Sequence, residues 1–272
     1  MRVSTGIQRG ALPTAIILAG GEGRRLGLLN SLVPKALLPS RGGSIVVRLI
    51  AQLVSAAVRD IVICTSPEHA SVMAVSTSQH YAENGRVWTV TNSSFRNSPI
   101  AALTRTVDLL ATEHVLLVLG DIVFRDNPFH SFPLANPSRM AIYLGTTLRP
   151  DTFCVRYGQV VDTPSGIRLV EEPNPSPSGG WQWSGLALFP RRSFQKTLAC
   201  HLPVRPLRLG DLFNRLARHH RLHRVPVPPF VNVNTLDDYL QAQFLISESR
   251  CRKIASSTAS IVSQSEGKKC PP

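Results

Sequence analysis

Residues 15–27 read Ala-Ile-Ile-Leu-Ala-Gly-Gly-Glu-Gly-Arg-Arg-Leu-Gly, and no other segment constrains the fold of this chain as strongly. A hydrophobic strand runs straight into a loop that carries Gly20, Gly21 and Gly23. Glycine is needed where the backbone approaches a ligand closely or takes positive φ, and a row of backbone N–H groups then faces phosphate. Arg24 and Arg25 add donors that can follow charge building on a leaving phosphate group. Lys35, in Val33-Pro-Lys-Ala-Leu-Leu-Pro39, supplies a further cation.

Spacing separates this loop from two other phosphate loops. A dinucleotide fingerprint G-x-G-x-x-G counted from Gly21 and Gly23 puts Leu26 where the third glycine belongs, with Gly27 one residue late. A Walker A loop needs Gly-Lys-Ser/Thr opening a helix, whereas Lys35 follows Pro34 and precedes Ala36. A turn shaped by glycine alone would leave two arginines and a lysine on one side without a purpose.

From Thr14 to Leu119 short apolar runs alternate with longer helix-period stretches, the pattern of repeated βαβ units and a mostly parallel sheet. Strands are expected at Thr14–Leu18, Asp60–Cys64, Arg86–Val90 and His114–Leu119, and crossover helices at Ile45–Ala57, Glu68–His80 and Ile100–Leu110. After Asp121 the texture changes to short β-rich segments broken by Pro and Gly: Met140–Thr146, Phe153–Tyr157, Gly166–Val170 and Trp181–Phe189. A helix near Leu209–His219, a strand Leu222–Pro226 and a helix Leu236–Ser247 complete an extension of the same sheet. The expected fold is α/β, a doubly wound, mostly parallel mixed sheet in three α/β/α layers. Residues 1–12 are expected to be a flexible N-terminus, 13–248 one domain, and 249–272 a disordered basic tail.

The pair Leu-Ala-Gly-Gly-x-Gly-x-Arg-Leu at Leu18–Leu26 and Pro-Lys-x-Leu-Leu-Pro at Pro34–Pro39 resembles the signature of the nucleoside-diphospho-sugar pyrophosphorylase superfamily. The resemblance covers about residues 14 to 245 and implies a Rossmann-like fold of the GT-A nucleotidyltransferase type. It implies that Leu18, Ala19, Gly20, Gly21, Gly23, Arg24 and Gly120 hold the nucleotide, that Arg25 steadies the triphosphate and that Lys35 neutralises phosphate charge. The residue before that arginine is usually Ser or Thr in the family; here it is Arg24.

The apolar run Val115–Leu119 ends in Gly120-Asp121, which in an open parallel sheet puts the carboxylate at the C-terminal edge, where ligands bind. Mg²⁺ prefers oxygen ligands and bridges phosphate oxygens, so Asp121 is the candidate metal ligand. The family's second ligand comes from a late motif, to which Phe230-Val-Asn-Val-Asn-Thr-Leu-Asp-Asp-Tyr-Leu240 corresponds, with Asn232 and Asn234 in the ligand positions. Asp237 and Asp238 read as first-turn carboxylates of the next helix, and Thr235 as its N-cap.

On the acceptor side, Arg168–Pro173 and Trp181–Pro190 resemble segments that line the sugar site of sugar-1-phosphate nucleotidyltransferases. Glu171, Glu172 and Gly185 would face the acceptor, but the lysine expected before Pro173 is missing. Trp181 and Trp183 read equally as a strand face or as stacking groups. Asn97-Ser-Pro-Ile-Ala-Ala-Leu103 resembles segments that recognise base and ribose in small-substrate cytidylyltransferases, giving Asn97 and Ser98 a binding role or a capping role.

Thirty Lys and Arg against 17 Asp and Glu give a net charge of +13, which suits anionic partners. Six arginines fall between Arg205 and Arg224 around Leu209, Leu212, Phe213 and Leu216; without interleaved aromatics this reads as a solvated basic face rather than a nucleic-acid site. Five scattered cysteines without a C-x-x-C pair argue against a disulfide framework or a zinc site. No apolar run reaches the ~18 residues of a membrane span, and no signal-peptide pattern opens the chain, so a cytoplasmic location is expected.

The expected activity is Mg²⁺-dependent transfer of a nucleoside monophosphate from CTP, UTP, dTTP or GTP to a small phosphorylated acceptor, a sugar 1-phosphate first. The alternatives are cytidylyl transfer to a phosphorylated alcohol, choline-like amine or phosphonate, and a catalytically weak sensor or nucleic-acid-binding protein on the same scaffold. Members of the superfamily often assemble as homo-oligomers.

Overall fold

The computed structural model describes residues 12–21, 23–27, 29, 33–78, 86–91, 99–149, 158–164, 166–170, 180–199 and 208–247. The expected strand Phe153–Tyr157, the tail 249–272 and residues 1–11 lie outside them.

Strand β1 (Thr14–Leu18) is the hub of a nine-stranded sheet. After it come β2 (Pro39–Ser40) and β3 (Gly43–Ser44), a small antiparallel pair of their own; β1 pairs in parallel with β4 (Asp60–Thr65) on one side and β6 (His114–Leu119) on the other, and β5 (Arg86–Thr91) extends the parallel part beyond β4. All five β1 residues are buried because both sheet faces are covered. Ala15 and Ile17 join one core with Leu49, Ile50 and Leu53 of α1 (Ile45–Ser55) and Met73 of α2 (Ala70–Ser78). Ile16 and Leu18 join the other, with Leu103 and Val107 of α3 (Pro99–Asp108). The three layers expected from sequence follow from this alternation.

Beyond β6 the sheet turns antiparallel. β7 (Ile122–Phe124) leaves the main sheet, and β8 (Ala141–Arg149) and β11 (Gly180–Pro190) run against each other, with β11 also antiparallel to β6. β9 (Gln159–Thr163) and β10 (Gly166–Val170) form a hairpin whose β9 meets the start of β11. Helix α4 (Arg191–Ala199) follows β11 directly and was not anticipated; its one fully buried side chain, Phe194, stacks on Phe189 with centroids 4.8 Å apart. Helix α5 (Leu209–Leu216) buries the four apolar residues that its spacing nominated, and β12 (Arg221–Pro226) pairs in parallel with β8. β13 (Phe230–Asn232) and the helix over 236–247, here α6, complete the chain. No helix among the described residues is long and apolar enough to cross a membrane.

Trp183 is 6% exposed, donates Nε1–H to Leu186 O at 2.9 Å and meets Phe213 edge-on at 6.0 Å, so it is a core residue. Trp181 carries the Arg224 guanidinium 5.3 Å above its ring. The strand-face reading of the two tryptophans holds.

His114, at the start of β6, is 5% exposed, and burial pushes its imidazole below the ordinary value; burial acts on His220 in the same direction. The folded protein therefore binds fewer protons than the unfolded chain once pH falls through the ordinary histidine range near ~6.5, and stability is lost on that descent. The thermal midpoint is expected to drop between about pH 7.5 and 5.5, a window above carboxylate titration, and His114→Phe should flatten the slope. A midpoint indifferent to pH over that window would refute the assignment.

Candidate active site

The C-terminal ends of β1 and β6 lie side by side, Leu18 opposite Leu119, at the point where the chain order reverses across the sheet. In open α/β sheets this is where ligands bind. The loops leaving the two strands touch. Gly120 donates its N–H to Leu18 O at 2.9 Å, and a Cβ on Gly120 would stand 2.7 Å from that oxygen and 3.1 Å from Ala19 Cα. Only glycine fits this approach.

The glycine loop is pinned at both ends. Ala19 N–H donates to Cys64 O at 2.8 Å. Gly23 takes the left-handed conformation (φ 59°) and caps the 3₁₀ turn Arg24–Leu26, whose Leu26 is buried. This turn leaves Arg25 exposed, with Nη2 3.3 Å from Asn234 Oδ1. The second basic motif is a 3₁₀ turn, Lys35–Leu37, set up by Pro34 and anchored by buried Ala36 and Leu37. Its Lys35 is only 8% exposed, and Nζ donates to Asp121 Oδ2 at 2.6 Å and to Asn234 Oδ1 at 2.9 Å.

Asn234 reaches this cluster through a ribbon that the sequence reading did not contain. β7 and β13 pair antiparallel, Ile122 opposite Asn232, and Val233 N–H then donates to Asp121 O at 2.8 Å. A capping box holds the following turn: Asp238 Oδ2 accepts from Asn234 N–H (3.0 Å) and Thr235 N–H (2.8 Å), while Asp238 N–H donates to Thr235 Oγ1 (3.2 Å). Thr235 is the cap expected; Asp238 does more than sit in a dipole, because it fixes the backbone of Asn234.

Lys35 and Asp121 border a cleft of about 210 Å³ walled also by Leu18, Ala19, Gly21 and Gly120. Pro99 and Leu209, the first residues of α3 and α5, close one side, so two positive helix ends border the same space. Leu209 carried no sequence signal for this position. Gly185 sits at the β11 bulge with φ 74°, where an added Cβ would meet Ile122 Cδ1 and Leu119 Cδ1. Asn97, Ser98, Glu171, Glu172 and the side chain of Arg24 lie outside the described part.

The site can accept a divalent cation at one carboxylate. Asp121 Oδ2 takes Lys35, while Asp121 Oδ1 is buried and has no hydrogen-bond partner, an arrangement that leaves one anionic oxygen for a cation. Among the described residues no cluster of three or more His, Cys, Asp or Glu forms a closed metal cage. Asn234 Oδ1 is already shared by two cationic side chains.

Asn234→Ala is expected to release Arg25 and Lys35 together, lowering turnover by about tenfold with little change in stability beyond ~1 kcal/mol. Asn234→Asp should retain the two cations. Equal losses in both variants would argue against a role through Lys35 and Arg25.

The geometry finds its counterpart among known proteins. Residues 15–136 match the MobA-like NTP transferase domain family. That stretch, somewhat under half of the chain, is where the likeness to this family lies. The match spans the glycine loop, Lys35 and Asp121. Over 70 residues the chain is 40% identical to the bifunctional IPC transferase and DIPP synthase of Aquifex aeolicus (strain VF5), a stretch that is 26% of this chain and 16% of that protein's length. The fold resembles that of the inositol-1-phosphate CTP transferase from T. maritima, with a TM-score of 0.72 at 15% identity over 89% of this chain and 98% of the other. It also resembles a Bacillus anthracis protein assigned as a glucose-1-phosphate thymidylyltransferase, with a TM-score of 0.69 at 20% identity over 86% and 94%.

Proposed function

We propose that this protein transfers a nucleoside monophosphate from an NTP to a small phosphorylated acceptor and releases pyrophosphate. The observation that carries the reading is that Lys35 and Asp121 wall one cleft beside the glycine loop, while Asn234 Oδ1 accepts from both Lys35 and the nearby Arg25. An acceptor phosphate oxygen attacks the α-phosphorus in line, a P–O bond forms, and the bond from the α-phosphorus to the bridging oxygen breaks with its electron pair leaving on pyrophosphate. The acceptor is already anionic, so the protein need supply no nucleophile and no strong base; its work is positioning and charge neutralisation.

Backbone N–H groups of the glycine loop cradle the triphosphate, Arg25 follows the charge on the departing pyrophosphate, and Lys35 neutralises phosphate charge while holding Asp121 in place. A Mg²⁺ ion bound at Asp121 Oδ1 and the nucleotide would contribute electrostatic stabilisation of phosphate oxygens.

Two acceptor classes remain in play. A sugar 1-phosphate was the first expectation from the residues. A phosphorylated polyol with CTP as donor draws support from the Aquifex aeolicus relative and the T. maritima fold neighbour. Pyrophosphate release measured with the four NTPs against pooled hexose 1-phosphates, inositol phosphates, phosphorylated amino alcohols and phosphonates, with and without Mg²⁺, decides between them. Release confined to CTP with a non-sugar phosphate selects the second class, and silence of every pair in a chain that also fails to bind NTP refutes the reaction.

A further inference from the structure

The cleft lies beyond the end of β6, while a second recess lies at the edge where β6 begins. β11 ends at Pro190 opposite His114, the first residue of β6, and β12 begins at Arg221 opposite Ala141, the first residue of β8. Helix α4 starts where β11 ends, and the turn Arg218–His220 leads into β12. Between α4, α5 and this turn is an open recess of about 430 Å³.

Its walls are basic for a reason visible in the helix periods. Ser193, Lys196 and Thr197 lie at i, i+3 and i+4 on one face of α4, and Arg215, Arg218 and His219 have the same spacing on α5 and the turn that follows. Phe194 of the first helix and Leu212, Phe213 and Leu216 of the second are held in the core, which fixes both helices beside the recess.

Among the described residues, no acidic side chain lines the recess. Lys196, Arg215 and Arg218 make no side-chain hydrogen bond or ion pair with a described residue, although neighbouring arginines are engaged: Arg139 with Glu113, Arg224 with Asp162, Arg191 with Thr112 O. His220 adds a buried Nδ1 with no hydrogen-bond partner. Three cations gathered without a counter-charge repel one another, and an anion that bridges them removes that repulsion while gaining charge-assisted hydrogen bonds.

We propose that this recess is a binding site for an oligophosphate anion, distinct from the active cleft. Its volume is that of a small-molecule site, and its concavity suits a compact polyanion better than an extended strand. The site does not rest on the proposed reaction. It does share a rigid element with it, since α5 contributes Leu209 to the cleft and Arg215 to the recess.

Isothermal titration of inorganic pyrophosphate into the full chain, at low ionic strength and without divalent metal, tests the assignment. The Lys35→Ala chain isolates the recess from the cleft, and it should show one saturable site. Adding Arg215→Ala and Arg218→Ala should weaken that site by about tenfold or more. Lys196→Gln, on the other helix, should weaken it several-fold with an unaltered thermal midpoint, which separates lost contacts from lost folding. Loss of all binding in Lys35→Ala alone, undiminished binding in the double arginine variant, or a short single-stranded RNA that binds these residues in preference to pyrophosphate would each overturn the proposal.

Discussion

Pyrophosphate release is expected to fall by about 10²–10³-fold in Lys35→Ala and at least as far in Asp121→Ala, measured with the best NTP–acceptor pair. The argument is geometric. Lys35 Nζ stands 2.6 Å from Asp121 Oδ2 and 2.9 Å from Asn234 Oδ1, and the 3₁₀ turn that carries it is held by Ala36 and Leu37 in the core. Without the ammonium, Asp121 keeps neither of its oxygens in a protein hydrogen bond, because Oδ1 has none to begin with. The carboxylate then loses its fixed direction, and a bound phosphate loses a cation that needs no reorganisation. Lys35→Arg should recover only part of the rate, since a planar fork cannot reproduce a point charge between two acceptors. The decisive reading is the split of the loss: a fall in kcat with KM little changed marks transition-state stabilisation, whereas a rise in KM alone would reduce Lys35 to a binding residue.

Gly120→Ala is expected to cost about 2–3 kcal/mol of folding stability, read by denaturant unfolding. The atoms that its Cβ would meet, Leu18 O at 2.7 Å and Ala19 Cα at 3.1 Å, belong to the backbone of the central strand and the glycine loop, and neither can rotate away as a side chain would. Relief would require β1 and β6 to separate at the site itself, so activity should fall with stability. Gly21→Ala is the control. A Cβ there meets nothing within 4 Å, and its stability should stay within about 0.5 kcal/mol of the parent chain. If both substitutions were equally tolerated, the close contact between the two loops would not exist in solution.

The parts of the site written in contiguous residues were legible beforehand. An apolar strand, three glycines in four positions and a Pro-Lys turn each encode their own local conformation, and Gly-Asp at the end of a buried strand encodes its own place at the sheet edge. β1, β4, β5, β6 and the three crossover helices appeared within a residue or two of their expected bounds. Helix α4 was missed because only Phe194 among its nine residues is fully buried, too little for an apolar period. β7 and β13 were missed because each is three residues long and has no pattern apart from its partner.

The same distinction runs through the chemistry. The sequence by itself determined the mostly parallel α/β sheet, the glycine loop and the nomination of Arg25, Lys35 and Asp121, since these depend on short-range sterics and on charge carried by residue type. Only the tertiary structure decided that Asn234 serves Lys35 and Arg25, and that Lys196, Arg215 and Arg218 line one recess. Those relations join residues as many as 209 positions apart. They arise from strand pairing and helix docking on a shared core, whose partners are chosen by the whole buried surface and not by any local run of residues.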